Sequence, residues 1–403
     1  MRNLLALLFA FAILTLWVPA QWPVAVFQVA IFLLASAAVA GWIRKPPPLV
    51  FPFAPLVFTV IWAAVQWASG KTSNLFETQV ALIGWLTLLA TFALSYTLFQ
   101  QQAVLEWFRP AMVGFAAVIA LLAILQTFTA GGTIFWIFPS AFSGSRHVMG
   151  PILYHNHYAA FIEVVLPMAV WEAVSERRNA LWFSVASAIL HGSVVVSASR
   201  AGTAIATAEI VVVCALVWYS RDTRQRATIP AVVKLGALIC VVTLVAGWSQ
   251  LSNRLGEANP FGMRREFAMS SLQMIVDHPF YGVGLGNWQL AYPGYAVTDF
   301  GVFANQAHSD WLQWTAEGGL PFGLALLAIV LWAIRPAIKT IWGVGVIAVF
   351  LHAAVDYPFS RPAVGAWITI VLAMLAATYC HFERFDRNVV TGSGNRRNPV
   401  LVS

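Results

Sequence analysis

The polar residues of this chain fall in short clusters separated by long apolar runs. A helix crosses the hydrocarbon of a bilayer with roughly 20 predominantly apolar residues, and about twelve runs approach that length. They cover 4–19, 24–43, 49–68, 80–98, 112–128, 158–174, 181–196, 201–218, 231–248, 311–334, 341–354 and 364–379. Only helices and closed barrels satisfy their backbone in lipid, and runs of this length are helical. The pattern therefore predicts an all-α, polytopic integral membrane protein with about 12 transmembrane helices. The opening, Met1-Arg2 and then apolar residues to Pro19-Ala20, imitates a secretory signal. Further apolar runs follow at once, so it is assigned to the first span.

Most connections are a few residues long, but 130–157 and 249–310 are not. Counting spans puts both on one side, and both are rich in Gly, Pro and aromatic residues. Long connections in a compact protein are usually functional. The second contains a helix-like stretch, 265–276, whose Phe267, Leu272, Met274 and Ile275 suit a membrane surface.

Composition agrees: 60% apolar and 10% charged residues exclude a soluble domain with a single core. The net charge of +7 does not mark a nucleic-acid face, because the basic residues are scattered through short connections. They report topology instead. With the N-terminus inside, one set of loops holds 16 of the 23 Lys and Arg residues and the opposite set 7. Positive charge is retained in short cytoplasmic loops, so both termini are expected in the cytoplasm and both long loops outside it. Residues 1–383 are expected to form the transmembrane domain and 384–403 a disordered cytoplasmic tail. Cys214, Cys240 and Cys380 lie far apart inside apolar runs and are packing residues.

The same topology gathers four polar clusters at the extracytoplasmic face: Tyr154-His155-Asn156-His157, Ser197-Ala198-Ser199-Arg200, Met263-Arg264-Arg265-Glu266 and His308-Ser309-Asp310. Ionisable residues beside a span are costly and tend to mark function. Arg200 lies in so short a turn that its guanidinium sits near two helix ends, where its planar fork suits a diphosphate or a lipid headgroup. Arg264 and Arg265 read alone as a solvated basic pair. Facing the same cavity as Arg200, they would complete a metal-free clamp on a leaving diphosphate. His308 opens a long span, where helix-start amides disfavour an imidazolium and leave a neutral base for a hydroxyl. Asp310 either orients that ring or caps the helix, and the deeper Glu317 suits a packing brace. His155 and His157, with Asn156 between, lack a carboxylate or cysteine to complete a metal shell. His147, His278 and His352 carry no assigned role. Gly282-Val283-Gly284-Leu285-Gly286-Asn287 imitates a nucleotide fingerprint but has no strand before it and lies on the wrong side of the membrane, so it is assigned to a turn-forming loop.

Taken jointly, these residues resemble the O-antigen ligase and Wzy polymerase superfamily of bacterial membrane glycosyltransferases. The resemblance is carried by Tyr154-His155-Asn156-His157-Tyr158-Ala159, Ser199-Arg200-Ala201-Gly202, the Arg264-led helix to Met274-Ile275, and His278-Pro279-Phe280-Tyr281-Gly282-Val283-Gly284-Leu285-Gly286. It ends with His308-Ser309-Asp310-Trp311-Leu312-Gln313 and Glu317-Gly318-Gly319. It implies an inverting, metal-independent and cofactor-free transfer of a glycan from undecaprenyl diphosphate to a hydroxyl, at the periplasmic face of the bacterial inner membrane. Arg200 and one arginine of the Arg264-Arg265 pair would bind the donor diphosphate, and His308 would activate the acceptor. His155, Asn156, Asp310 and Glu317 would support them, and Ser309, often Asn in the family, would take no chemical part. The ligase, whose acceptor is lipid A–core oligosaccharide, is favoured over the polymerase, whose acceptor is another lipid-linked repeat. The compact chain lacks the extracytoplasmic segment that protein O-glycosyltransferases usually add near the C-terminus. A lipid-linked glycan flippase would instead show internal pseudo-symmetry and midplane charges.

Overall fold

A computed structural model describes residues 1–139, 150–175, 179–220, 229–247, 252, 262–298, 301 and 303–390, with side chains to 383. His147, Arg146, Arg177, Arg178, Arg254 and parts of both long loops lie outside the described residues. The chain is an all-α membrane protein, and each of the apolar runs coincides with a helical segment. The first five helices are α1 (Arg2–Leu14), α2 (Trp22–Trp42), α3 (Phe53–Ser69), α4 (Leu75–Phe99) and α5 (Gln102–Thr129). A two-residue hairpin, β1 (Thr133–Ile134) with β2 (Phe138–Pro139), follows. Next come α6 (His155–Glu163), α7 (Leu166–Val174), α8 (Ala180–Val196), α9 (Arg200–Trp218) and α10 (Ile229–Val242), the last continued by a π-helical turn. The long loop carries α11 (Arg264–Asp277) and the short α12 (Trp288–Ala291), and α13 (Asp310–Thr340), α14 (Val344–His352) and α15 (Pro362–Val390) complete the chain. Among the described residues, eight helical stretches are long and apolar enough to cross a membrane. The expected boundary at 383 falls inside α15, which continues to Val390, while 391–403 lies outside the described residues.

Burial separates an inner from an outer set. The apolar stretch of α15 is entirely buried and α6–α7 is 94% buried, whereas the windows in α2, α9 and α10 are 22%, 28% and 11% buried. Helices that are apolar all round can lie in either place, and these outer ones present their side chains to lipid. The two ends differ in chemistry. At one, Arg2 lies over Trp107, Arg109 over Trp171 beside Glu172, and Lys339 over Tyr379. These basic residues all belong to the set expected in the cytoplasm. The starts of α6, α9, α11 and α13 carry the four polar clusters at the other.

Two spans are broken on the way to that end, and neighbours donate to carbonyls freed at each break. Pro167 ends the register of α6 and restarts the helix as α7. The freed carbonyl of Phe161 accepts Trp367 Nε1 at 3.1 Å. In α13 the backbone leaves the helical region at Gly319, with φ 75° and ψ 175°, two residues before Pro321. The carbonyl of Ala316 accepts Val283 N at 2.9 Å, that of Glu317 accepts Gly284 N at 3.0 Å, and that of Gly318 accepts Trp62 Nε1 at 2.8 Å. Leu320 N donates in turn to Pro279 O at 2.7 Å. An unsatisfied backbone group in the bilayer costs several kcal/mol, so this exchange is what allows the break.

The glycine-rich loop is therefore a clasp around a broken helix. Glu317 secures it, accepting Gly286 N and Trp288 N at 3.0 Å each and Gln313 Nε2 at 3.2 Å. A Cβ on Gly282 would lie 2.3 Å from Glu317 O, and one on Gly319 would lie 2.4 Å from Phe280 O. Both residues also hold positive φ. Gly319→Ala is thus expected to cost on the order of 1–3 kcal/mol. Gly41→Ala, with nothing within 4 Å, should be neutral. Thermal unfolding of the two variants in the same detergent checks this, and equal melting temperatures would refute the clasp.

Candidate active site

Asp356, in the turn between α14 and α15, has no exposed surface, and the polar clusters converge on it. Asn156 Nδ2 donates to its Oδ1 at 3.1 Å, and Tyr154 OH lies 3.4 Å from the same oxygen. Arg264 Nη2 stands 3.7 Å from Oδ1, His308 Nδ1 3.8 Å from Oδ1 and His157 Nε2 3.9 Å from Oδ2. The last three exceed hydrogen-bond length, so they act through charge and through whatever enters the gap. His157 Nε2, His308 Nδ1 and Asp356 Oδ2 are buried without hydrogen-bond partners. Burial alone would raise the carboxyl of Asp356, but the nearby His308, His157, His352 and Asn156 outweigh it and hold the group below the ordinary carboxylate range. The carboxylate is ionised at neutral pH.

His308 is placed by sterics. Its φ is +54°, a left-handed conformation that a non-glycine side chain adopts only under constraint. Such outliers concentrate at functional sites. Its ring stacks on Phe267 with centroids 5.7 Å apart and planes at 10°, and meets Tyr357 edge-on at 4.8 Å. Phe267 is one turn from Arg264 on α11, so that helix presents a cation and a platform on one face. Ser309, not His308, begins α13: its hydroxyl caps the helix by accepting Leu312 N at 3.3 Å. Tyr357 also packs on His157 and Tyr154. Burial and the adjacent Asp356 push its phenol up to about 12, so it remains protonated.

Arg264 is half-buried, donating from Nη1 to Val355 O at 3.0 Å and from Nη2 to Tyr154 OH at 3.3 Å. Arg265 is exposed, one residue round the helix. Of the pair, Arg264, which the family resemblance favours, is the one beside Asp356. Arg200 is the first residue of α9 and half-buried. Its neighbour Ser199 caps α9 by accepting Gly202 N at 3.1 Å and donates to Asn156 Oδ1 at 2.7 Å. Ser199 and Asn156 therefore tie the Arg200 turn to Asp356. A Cβ on Gly202 would lie 2.4 Å from Ala159 Cβ, so glycine is what admits α9 this close to α6.

Two supporting residues have partners that the sequence left open. Asp310 does not orient His308: its Oδ2 accepts Phe359 N at 3.0 Å, and its N–H donates to the carbonyls of Ala353 and Asp356. It braces the turn that carries Asp356, which is itself the carboxylate beside the imidazole. Of the two histidines flanking Asn156, buried His157 faces Asp356, while half-buried His155 packs against Tyr154 with centroids 4.8 Å apart and the rings tilted at 45°. His278 caps the far end of α11 and helps line a groove of about 640 Å³ with Lys71, Thr72 and Tyr281. Among the described residues, no group of three His, Cys, Asp or Glu side chains has the arrangement of a metal centre.

The cluster offers an imidazole, a fixed carboxylate and guanidinium groups at one end of a membrane bundle. That combination suits proton removal from a hydroxyl beside a bound anion. No curated protein matches the chain. A family model described as O-Antigen ligase matches residues 185–328, which hold Arg200, Arg264, His308 and Glu317, while Asn156, His157 and Asp356 lie outside the match. By that match, residues 185–328 are similar to the O-antigen ligase family.

Proposed function

We propose that the protein transfers a glycan from undecaprenyl diphosphate to a hydroxyl of lipid A–core oligosaccharide, at the periplasmic face of the bacterial inner membrane. The family match supports ligase or polymerase activity in general. The observation that carries the finer reading is that His308 and Arg264 stand 3.8 and 3.7 Å from one oxygen of Asp356. A base for the acceptor and a cation for the donor share one fixed carboxylate. His308 takes the proton of the acceptor hydroxyl, and the oxygen attacks the anomeric carbon as the bond from that carbon to the diphosphate oxygen breaks. One displacement inverts the anomeric centre. Charge gathers on the leaving diphosphate, where Arg264 and Arg200 offer planar donor forks without a metal. Asp356 orients the imidazole and balances it once protonated. Arg265 and His155 stand outside this inner set. Ligase is kept ahead of polymerase on the sequence reading, in which both long loops fall on the same side of the membrane.

Positioned proton transfer contributes about 10²–10⁴-fold, so His308→Ala should lose roughly that much turnover while still binding donor. Product formation from undecaprenyl-diphosphate glycan, with and without lipid A–core, is compared at matched folded protein. Near-wild-type transfer by the variant would remove His308 from the mechanism, and chain lengthening without joining to core would make the protein a polymerase. Asp356→Asn should also lose turnover, by about 10-fold or more, but not donor affinity, since Arg264 is left without a competing counter-ion. Weakened donor binding with normal turnover would reverse these roles.

Orientation is tested separately. In a chain cleared of its three cysteines, Val297→Cys, on the long loop and 85% exposed, should react with an impermeant thiol reagent in spheroplasts. Ile43→Cys, 88% exposed beside Arg44 and Lys45, should react only after lysis. The opposite pattern would place the site in the cytoplasm.

A further inference from the structure

Beneath Asp356 lies a second set of ionisable groups that the transfer does not use. Glu163 ends α6, six residues after His157, and has no exposed surface. Its two oxygens lie 2.8 and 2.9 Å from Nδ1 of His352, the equally buried last residue of α14. Glu209 of α9 is buried nearby with neither oxygen hydrogen-bonded. A buried ion pair is weak evidence for stability, because the desolvation of two charges often exceeds their attraction and an apolar pair of similar volume does as well. Its placement is more informative than its energy.

His352 is four residues before Asp356, and its carbonyl accepts the N–H of both Val355 and Asp356 at 3.0 Å. The turn that carries the carboxylate is therefore built on His352. Two helical turns earlier, on the same face of α14, Gly345 lies against α6, where a Cβ would stand 2.8 Å from Glu163 O and 2.7 Å from Val164 O. Contact at both places fixes α14 along its axis relative to α6. Because α6 also delivers Asn156 and His157, its register against α14 sets the 3.1 Å bond from Asn156 to Asp356.

We propose that Glu163 and His352 are positioning residues for Asp356, their buried contact fixing the last turn of α14 against α6 so that the carboxylate stays opposite Asn156, His157, His308 and Arg264. The inference rests on the glycosyl-transfer reading of the site. A displacement of about 1 Å at a catalytic group can cost roughly 10²-fold, with little change in binding to groups that do not move.

The test uses the full-length protein and replaces the pair by apolar residues, Glu163→Leu with His352→Leu, a change of the kind that buried pairs tolerate in folding. Turnover and donor affinity are measured together at matched folded protein. The double variant is expected to bind undecaprenyl-diphosphate glycan within about threefold of wild type and to turn over roughly 10²-fold more slowly. Glu163→Gln alone, which keeps an oxygen acceptor for His352 at the same reach, should recover turnover to within about tenfold of wild type. Glu209→Gln, which removes an equally buried carboxylate outside the pair, should leave turnover unchanged. Wild-type turnover in the double variant overturns the inference, as does an equal loss of turnover and donor affinity, an equal loss in Glu209→Gln, or no recovery in Glu163→Gln. These outcomes require transfer by the wild type; absence of transfer there would sink the functional reading, and this inference with it.

Discussion

The carboxylate of Asp356 has no access to water and sits among hydrophobic helices, so it can remain ionised only if cations and donors are brought to it. Four helix starts do so. Asn156 and His157 come from the beginning of α6, Arg264 from that of α11 and His308 from just before α13, while Ser199 at the start of α9 holds Asn156 from behind. Removing any one leaves a buried charge less compensated, which costs far more than the lost contact is worth. One charge thus couples elements that are otherwise far apart in the chain, with 202 residues separating Tyr154 from Asp356.

That convergence requires broken helices. A straight α13 would continue through Gly319 and leave no carbonyls for the loop of Tyr281 to Trp288, and an unbroken α6–α7 would lack the approach that Gly345 makes at Glu163 and Val164. Irregular backbone is tolerated at membrane depth only where protein saturates it, and here the carbonyls of Phe161, Ala316, Glu317 and Gly318 all find donors on neighbours. Glycines do this work at positive φ and at Cβ distances no other residue could occupy. The loop and the break are complementary: the edges of α13 exposed by Gly319 are the ones that Val283 and Gly284 cover.

The spans, the helix at Arg264 and the grouping of polar clusters at one end were all legible in the chain, because lipid permits one secondary structure and penalises charge. The clasp was half legible: lack of a preceding strand excluded a nucleotide loop, but nothing local shows that its partner is Gly319. Asp356 was missed. It stands in His-Ala-Ala-Val-Asp-Tyr-Pro, a stretch that matches no catalytic motif, and the side chains that face its carboxylate lie in other segments. The available signal was an acidic residue at the end of an apolar run on the active side. His157 was passed over for a related reason, since the phase of α6, which turns it inward and His155 outward, depends on where the helix begins. For Asp310 the sequence left two roles open, and its partner, Phe359 N, lies 49 residues on, where no local pattern points.

The division between what binds and what reacts follows from the same geometry. Under the proposed function, the donor diphosphate needs permanent charge, which the guanidinium of Arg264 supplies from a half-exposed position where the ligand can reach it. The base needs a ring whose orientation survives the passage of substrates, and Phe267 and Tyr357 provide it with apolar walls that offer no competing hydrogen bond to the imidazole face. Asp356 is the one group that must serve both. It can do so because its neighbours stand 3.7 to 3.9 Å away, close enough for charge to act and too far for a direct hydrogen bond to commit the carboxylate to either partner. A tighter contact with Arg264 would neutralise the cation the donor requires, and a wider one would leave the imidazole without its counter-ion.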